Sequence, residues 1–511
     1  MRASLWRRCD FRSLECRRAF TTTRANRERV NVARLLAQQT DADGVNVHGW
    51  VQSLRRQKKV AFAAITDGST LDTLQAVLKP EDSAQLSTGT AVRLTGSWQA
   101  SKGTKQSHEL QVRHVEALGA NDAEHNPLQP KYQTPEFLRT IPHLRPRIPA
   151  NAILLRLRSQ VIASLTRFFS QQDFVQTHTP LITSSDCEGA GEVFTISSNT
   201  AKDSVDSQKP EEKASVEHFF RTPKYLTVSA QLHLEALAQA VDRVWTLSPT
   251  FRAERSDTPR HLSEFYMLEA ELCFTAELDD VMSVVESMLS VVADDLLGSR
   301  TGSELLRARE AHHAEPETAT ESATATDLKQ RWTGLAEGGW PRITYANAIE
   351  ILQDAVSQSK VEFTYKPSYS AGLQAEHERY IAATIGEGKR PVFVTDYPRV
   401  QKAFYMAPTD PSGDESTADK TVACFDLLVP ELCELAGGSI REHRSQELLE
   451  AMDAKGVAGE HLDWYQDLRK YGSVPHGGFG LGFDRLLCYL SGVTNVRDVV
   501  AFPRWYGRCE C

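Results

Sequence analysis

The sequence predicts an α+β protein, with a small closed β-barrel leading into a larger antiparallel sheet flanked by helices. Three observations carry that reading. From Val45 to about Gly119, apolar stretches of strand length alternate with turn signals. A long amphipathic helix follows shortly after residue 150. Beyond it, strand-like runs are joined by hairpins and long insertions, which favours an antiparallel sheet over a doubly wound one.

The barrel segments are Val45–Val47 with Trp50–Val51, then Val60–Ile65, Leu74–Val77, Ala91–Leu94 and Leu110–Val112. Asp67-Gly68, Lys79-Pro80, Thr88-Gly89 and the polar Ser101–Lys105 punctuate them. Five short strands in so short a stretch point to an OB-fold over 30–119. Residues 120–150 hold six prolines between Pro127 and Pro149 and read as an extended linker or hinge.

In the domain expected over 151–511, Ile153, Leu154, Leu157, Val161, Leu165, Phe168 and Phe169 fall on one helical face. Expected strands include Tyr225–Val228, Val244–Leu247, Phe265–Phe274, Val392–Asp396, Phe404–Met406 and Val422–Val429. Polar insertions over 197–217, 311–329 and 408–420 have almost no large apolar residue. They cannot bury enough surface to offset their ordering entropy, so they read as mobile surface loops.

The chain has 511 residues and a net charge of −9, so RNA binding would need local basic patches. No apolar run reaches transmembrane length. Nine scattered cysteines lack zinc-ligand spacing and fit a reducing compartment. Residues 1–29 carry nine arginines against three acids, with interspersed apolar residues and Thr21–Thr23. That pattern fits a mitochondrial transit peptide; the alternative is a basic arm that touches RNA directly.

Two windows suggest chemistry. Phe251–Phe265 places Arg252, Arg255, Arg260 and His261 in one loop with Glu254. Arginine forks suit polyphosphate oxygens, and an aromatic suits a purine. Most Arg/Glu runs are merely solvated loops, and this window alone leaves that option open. Gly477–Leu487 combines a glycine-rich stretch with Arg485 at the start of an apolar helical run. Its glycines suit close approach to a ligand, and equally suit tight helix–strand packing.

With the helix and strand ending at Pro180, these windows resemble, in order, the three signature motifs of the class II aminoacyl-tRNA synthetases. The resemblance narrows to the aspartyl, asparaginyl and lysyl subgroup, and within it to the asparaginyl branch. Ser184–Phe194, Leu226–Leu232, Lys402–Met406, Arg469–Gly478 and Gly492–Pro503 carry it. It spans nearly everything from Val45 to Pro503 apart from the insertions.

The resemblance implies a homodimer formed through the first motif, with ATP, Mg²⁺, L-asparagine and tRNA(Asn) as partners, and the N-terminal pattern of residues 1–29 points to work in the mitochondrial matrix. Arg252 would contact the α-phosphate, and Arg485 with Arg260 and His261 would hold the β- and γ-phosphates. Arg252 and Arg485 are thus the implied catalytic residues. Phe265 would stack on adenine, Glu254 would orient the nucleotide, and Asp426 and Glu434 would ligate magnesium. For Asp426, a plain sheet-edge charge is the alternative. Glu188 would meet the substrate ammonium, Gln231 would line the same pocket, and Arg441 would reach the side-chain oxygen. The aspartyl relatives carry a lysine where this chain has Leu234, and an aspartate where it has Glu269. Neither residue here would welcome a second carboxylate. Arg252, Glu254, Asp426, Glu434 and Arg485 together argue against a non-catalytic tRNA-binding relative.

In the barrel, Arg55, Phe62 and Gln75 match anticodon-binding positions of the subgroup. Stacking and edge reading suit such residues on unpaired bases. The alanines and valine flanking Phe62 leave core packing as the competing role.

Overall fold

The structure, a computed structural model, describes residues 29–103, 106–129, 131–184, 192–197, 218–314, 323–410, 420–457 and 459–511. The expected transit peptide (to residue 28) and Glu188 lie outside the described residues, as do most of the first and third polar insertions and the middle of the second. The chain divides into two units, Met1–Pro127 and Leu128–Cys511.

In the first unit, helix α1 (Val32–Ala37) precedes strands β1 (Ala42–Arg56), β2 (Ala61–Thr66), β3 (Leu74–Leu78), β4 (Ala91–Ala100) and β5 (His108–Gly119). They close a barrel in the order β1-β2-β3-β5-β4. The expected segments at Val45 and Trp50 are one long strand, β1, bulged between Val51 and Ser53. Alternation sends Val47, Ala63, Ile65, Ala76, Leu94 and Trp98 into a buried core.

The second unit opens with α2 (Pro135–Thr140) and α3 (Pro149–Gln171), followed by β6 (Val175–Gln176), β7 (Ile182–Thr183), β8 (Tyr225–Leu226) and α4 (Gln231–Val241). The hairpin β9 (Arg243–Phe251) and β10 (Glu264–Cys273) leads to α5 (Leu278–Leu297), α6 (Arg300–Ala314) and α7 (Ala325–Ala336). Then come β11 (Arg342–Thr344), α8 (Tyr345–Ser357), α9 (Ala375–Ile385), β12 (Val392–Pro398), β13 (Thr421–Val429) and β14 (Cys433–Ile440). The chain ends through α10 (Ser445–Lys455), α11 (Asp463–Lys470), β15 (His476–Gly482), α12 (Phe483–Ser491) and α13 (Val496–Val499). Eight strands form one sheet in the order β11-β12-β13-β14-β15-β10-β9-β6. Only the outermost pairs, β11/β12 and β6/β9, are parallel. The apolar faces of α3, α5, α7 and α12 contribute to one large core with the sheet, including Leu157, Phe169, Met288, Trp332, Phe425 and Leu486.

Several expectations need correction. The linker is not simply extended: α2 begins at a proline, as helices tolerate. The buried Arg145 donates to the Arg497 carbonyl (2.7 Å), tying this stretch to the C-terminal helices. Phe404–Met406 is a turn with a single bridge from Met406 to Arg441, its aromatics packed in a side cluster. The second insertion is helical at both edges. Thr324 and Asp327 form a capping box on α7, and Leu328 is fully buried. Strand β14 has no counterpart among the expected strands, because its paired glycines lack the β-branched signature.

Candidate active site

Strand register assembles the site. Asp426 on β13 pairs with Gly437 on β14, Gly437 with Gly480 on β15, and Gly480 with Glu269 on β10. Residues in one transverse row share a face, so two carboxylates stand at either end of a floor with no side chains. Three strand spacings separate those ends, about 14 Å. The next row on that face is Cys424, Ser439, Gly478 and Glu271. A Cβ at Gly478 would lie 2.0 Å from Glu271 Oε2, so only glycine lets β15 lie here. Above this floor is a cavity of about 200 Å³.

At the Glu269 end, its buried carboxylate accepts hydrogen bonds from Ser229 Oγ (2.5 Å) and the Ala230 amide (3.0 Å). Gln231, Leu234 and Arg441 line the cavity alongside it. Arg441 donates through Nε and a terminal nitrogen to both Glu271 oxygens, each at 3.1 Å, and to Ser439 Oγ at 2.8 Å. Its positive charge therefore reaches the cavity already matched by Glu271. Leu234 is buried and supplies no charge.

At the Asp426 end, Lys402 Nζ binds both carboxylate oxygens, at 2.8 and 2.7 Å. Burial opposes the Lys402 ammonium, but Asp426 outweighs it and holds the lysine above its ordinary pKa. The cavity thus contains a lysine that the reading at Leu234 did not anticipate, and its charge is engaged by Asp426. A Cβ added at Gly437 would stand 3.4 Å from both Asp426 Oδ1 and Glu434 Oε1, so the two carboxylates flank one open position. Desolvation and Asp426 hold the Glu434 carboxyl above the usual range, against Arg485, Lys402 and Arg252. Two crowded carboxylates offer the hard oxygen ligands that magnesium prefers, and an ion there would share Asp426 with Lys402.

Arg252, at the end of β9, lines the same cavity, with its guanidinium 5.7 Å from the centre of the Phe265 ring. Glu254 lies 3.9 Å from Arg252 and 3.2 Å from His261 Nε2. Arg485, in the first turn of α12, donates to the Glu434 backbone carbonyl at 3.2 Å. Burial lowers the His261 pKa; Glu254 opposes this, and Arg485, Arg260 and Arg252 reinforce it. The predicted phosphate-binding groups from the loop after β9 and from α12 therefore share one positive field.

In the barrel, Ala61, Ala63 and Ile65 are fully buried while Phe62 points outward, which excludes core packing as its main role. Arg55 is its direct partner across β1 and β2, with the guanidinium 5.0 Å over the ring. Gln75 alternates onto the same outer face of β3 and donates to Glu109 at 3.1 Å.

Residues 135–506 match the family of class II tRNA synthetases (D, K and N). The chain belongs to that family. Residues 45–118 of this synthetase match the OB-fold nucleic acid binding domain. It is 41% identical to the mitochondrial asparagine–tRNA ligase of Saccharomyces cerevisiae, covering 91% of this chain and 93% of that protein. It is 40% identical to the asparagine–tRNA ligase of Bacillus cereus, covering 91% and 96%. Its fold superposes on asparaginyl-tRNA synthetase from Pyrococcus horikoshii complexed with asparaginyl-adenylate. That match has a TM-score of 0.76 and 29% identity, covering 94% of this chain and 99% of the other. An aspartyl-tRNA synthetase from Entamoeba histolytica, at 20% identity and a TM-score of 0.69, shares the fold.

Sequence reasoning assigned no role to Lys402, Glu235, Glu271, Arg469 or His476 of the synthetase. Two of these had a readable signal. Glu271 is two positions after Glu269 and so on the same strand face, and Glu235 is one helical turn after Gln231. Lys402, Arg469 and His476 find their partners only through the tertiary fold.

Proposed function

We propose that this synthetase activates L-asparagine with ATP and transfers it to tRNA(Asn) in the mitochondrial matrix, working as a homodimer. The row Asp426–Gly437–Gly480–Glu269 carries the reading, because a nucleotide at its Asp426 end and an amino acid at its Glu269 end would lie side by side over one floor. Asparagine would sit at the Glu269 end. There a carboxylate can accept from the carboxamide and repels the carboxylate of aspartate. Arg441, its charge matched by Glu271, can donate to a neutral oxygen without demanding a second anion.

The bent triphosphate would lie between Arg252 and Arg485, with Phe265 against adenine. Arg260 and His261 would meet the outer phosphates. Asp426 and Glu434 would hold magnesium, which when bound neutralises charge on the phosphates. The asparagine carboxylate attacks the α-phosphorus in line, and diphosphate leaves, giving the mixed anhydride asparaginyl-adenylate. The 3′-hydroxyl of the terminal tRNA adenosine then attacks the acyl carbon, releasing AMP, whose departing phosphate takes the hydroxyl proton. Positioning and preorganised charge supply the acceleration, and no protein acid or base is required.

The outer barrel face of Arg55, Phe62 and Gln75 would read the anticodon. Dimerisation is supported by β6 lying at the sheet's edge, by exposed Leu155 and Val175 in the first-motif segment, and by exposed Leu181 and Ile182 just after it. The arginine-rich N-terminus and the mitochondrial relatives support the compartment. Charging of mitochondrial tRNA with each labelled amino acid tests the substrate. Asparagine alone should be incorporated, and preferential charging with aspartate would overturn the proposal. Import of the tagged protein should fail without residues 1–29; unchanged import would remove the targeting claim.

A further inference from the structure

We propose that Glu235 is a positioning residue that fixes the Gln231 amide, so that its oxygen rather than its nitrogen serves the amino-acid pocket. The inference rests on the asparagine reading above and concerns how that pocket is oriented. Both residues lie on α4, one turn apart. Gln231 Nε2 donates to Glu235 Oε1 at 3.1 Å, and Gln231 lines the cavity.

Glu235 is fully buried and heavily coordinated. Its oxygens also accept from Tyr465 OH (2.8 and 2.9 Å), Arg469 (2.7 Å) and His476 Nε2 (3.1 Å). Burial alone would raise its pKa, but Arg469 and His476 hold it below the ordinary carboxylate range. An ionised carboxylate accepts hydrogen bonds and donates none. Only the NH₂ edge of Gln231 can face it, which leaves Oε1 for the cavity. An acceptor is thus presented to an N–H donor of the substrate, whether ammonium or carboxamide.

A competing use for this cluster is metal binding, since ligand atoms of Glu235, Glu271 and His476 lie within 4.8 Å of one another. The donors already present disfavour it. Both Glu271 oxygens are held by Arg441, and Glu235 is surrounded by N–H and O–H groups. Two neighbouring guanidiniums would also repel a cation.

Glu235→Gln replaces an obligate acceptor with an amide that can present NH₂ to Gln231 and let it flip. In ATP–diphosphate exchange with the full chain, we expect the KM for asparagine to rise at least tenfold. The KM for ATP should stay within twofold, and Glu235→Asp should recover part of the loss. Because Glu235→Gln leaves Arg469 buried without its partner, the charge-balanced Glu235→Gln/Arg469→Gln protein provides a second test with the same expected split. An unchanged asparagine KM in either folded variant, or equal rises for asparagine and ATP, would overturn the role. A wild-type protein that exchanges with another amino acid would defeat the asparagine assignment instead. The KM split measured with that amino acid would then decide the role of Glu235.

Discussion

In the barrel, β2 turns Ala61, Ala63 and Ile65 inward and Phe62 outward, so position along a single strand decides what each residue does. In the catalytic sheet, Asp426, Gly437, Gly480 and Glu269 gain their meaning only when four strands come into register. The barrel thus offers a regular surface on which Arg55 and Phe62 stand outward, whereas the sheet opens a cavity by removing side chains from its floor. Damage should follow the same division. Changes to the cavity should stop adenylate formation without tRNA being involved, and changes to the barrel face should spare it.

The largest expected effect comes from Arg252→Ala. Losing a preorganised cation at the reacting phosphate should slow ATP–diphosphate exchange by about 10²–10³-fold. Full activity in that variant would detach Arg252 from the chemistry. Glu434→Gln removes one of the two carboxylates flanking Gly437. The magnesium concentration giving half-maximal exchange should rise about tenfold or more, as measured by magnesium titration at fixed ATP. An unchanged titration would place the metal elsewhere.

Phe62→Ala makes the complementary test in the barrel. Loss of one base-stacking platform, about 1–3 kcal/mol, should raise the KM for tRNA by roughly tenfold or more. Exchange without tRNA should be unaltered, and a fall in it would erase the division between the two units.

The smallest effect concerns His261. Its folded-state pKa is depressed from the ordinary 6.5, mainly by burial, with Arg485, Arg260 and Arg252 adding to the effect. The neutral form is therefore favoured, so the associated stability is present above about 6.5 and is lost as pH falls through the folded pKa. ATP supplies negative charge to this field and should move the His261 pKa upward. An NMR titration of its ring protons with and without ATP checks the direction, and a downward shift would contradict phosphate binding there.

These contrasts also explain what the sequence revealed. Barrel strands could be read from alternation, and α3 from its apolar face, because both patterns are local. The motif residues were legible through resemblance, yet their partners were not. Arg441 meets Glu271 across 170 positions, and Arg469 meets Glu235 across 234. No periodicity connects residues so far apart. β14 escaped notice for a related reason: the glycines that clear the active-site floor also erase the usual strand signature. At Asp426, resemblance pointed to the cavity where composition alone suggested a sheet-edge charge.

The most direct measurement of the account is ATP–diphosphate exchange by the full-length protein, with asparagine and with aspartate, at saturating ATP and magnesium. A pocket of matched charges plus the Glu269 carboxylate should give asparagine an advantage in kcat/KM of about a thousandfold or more. Equal exchange with the two amino acids, or faster exchange with aspartate, would contradict it.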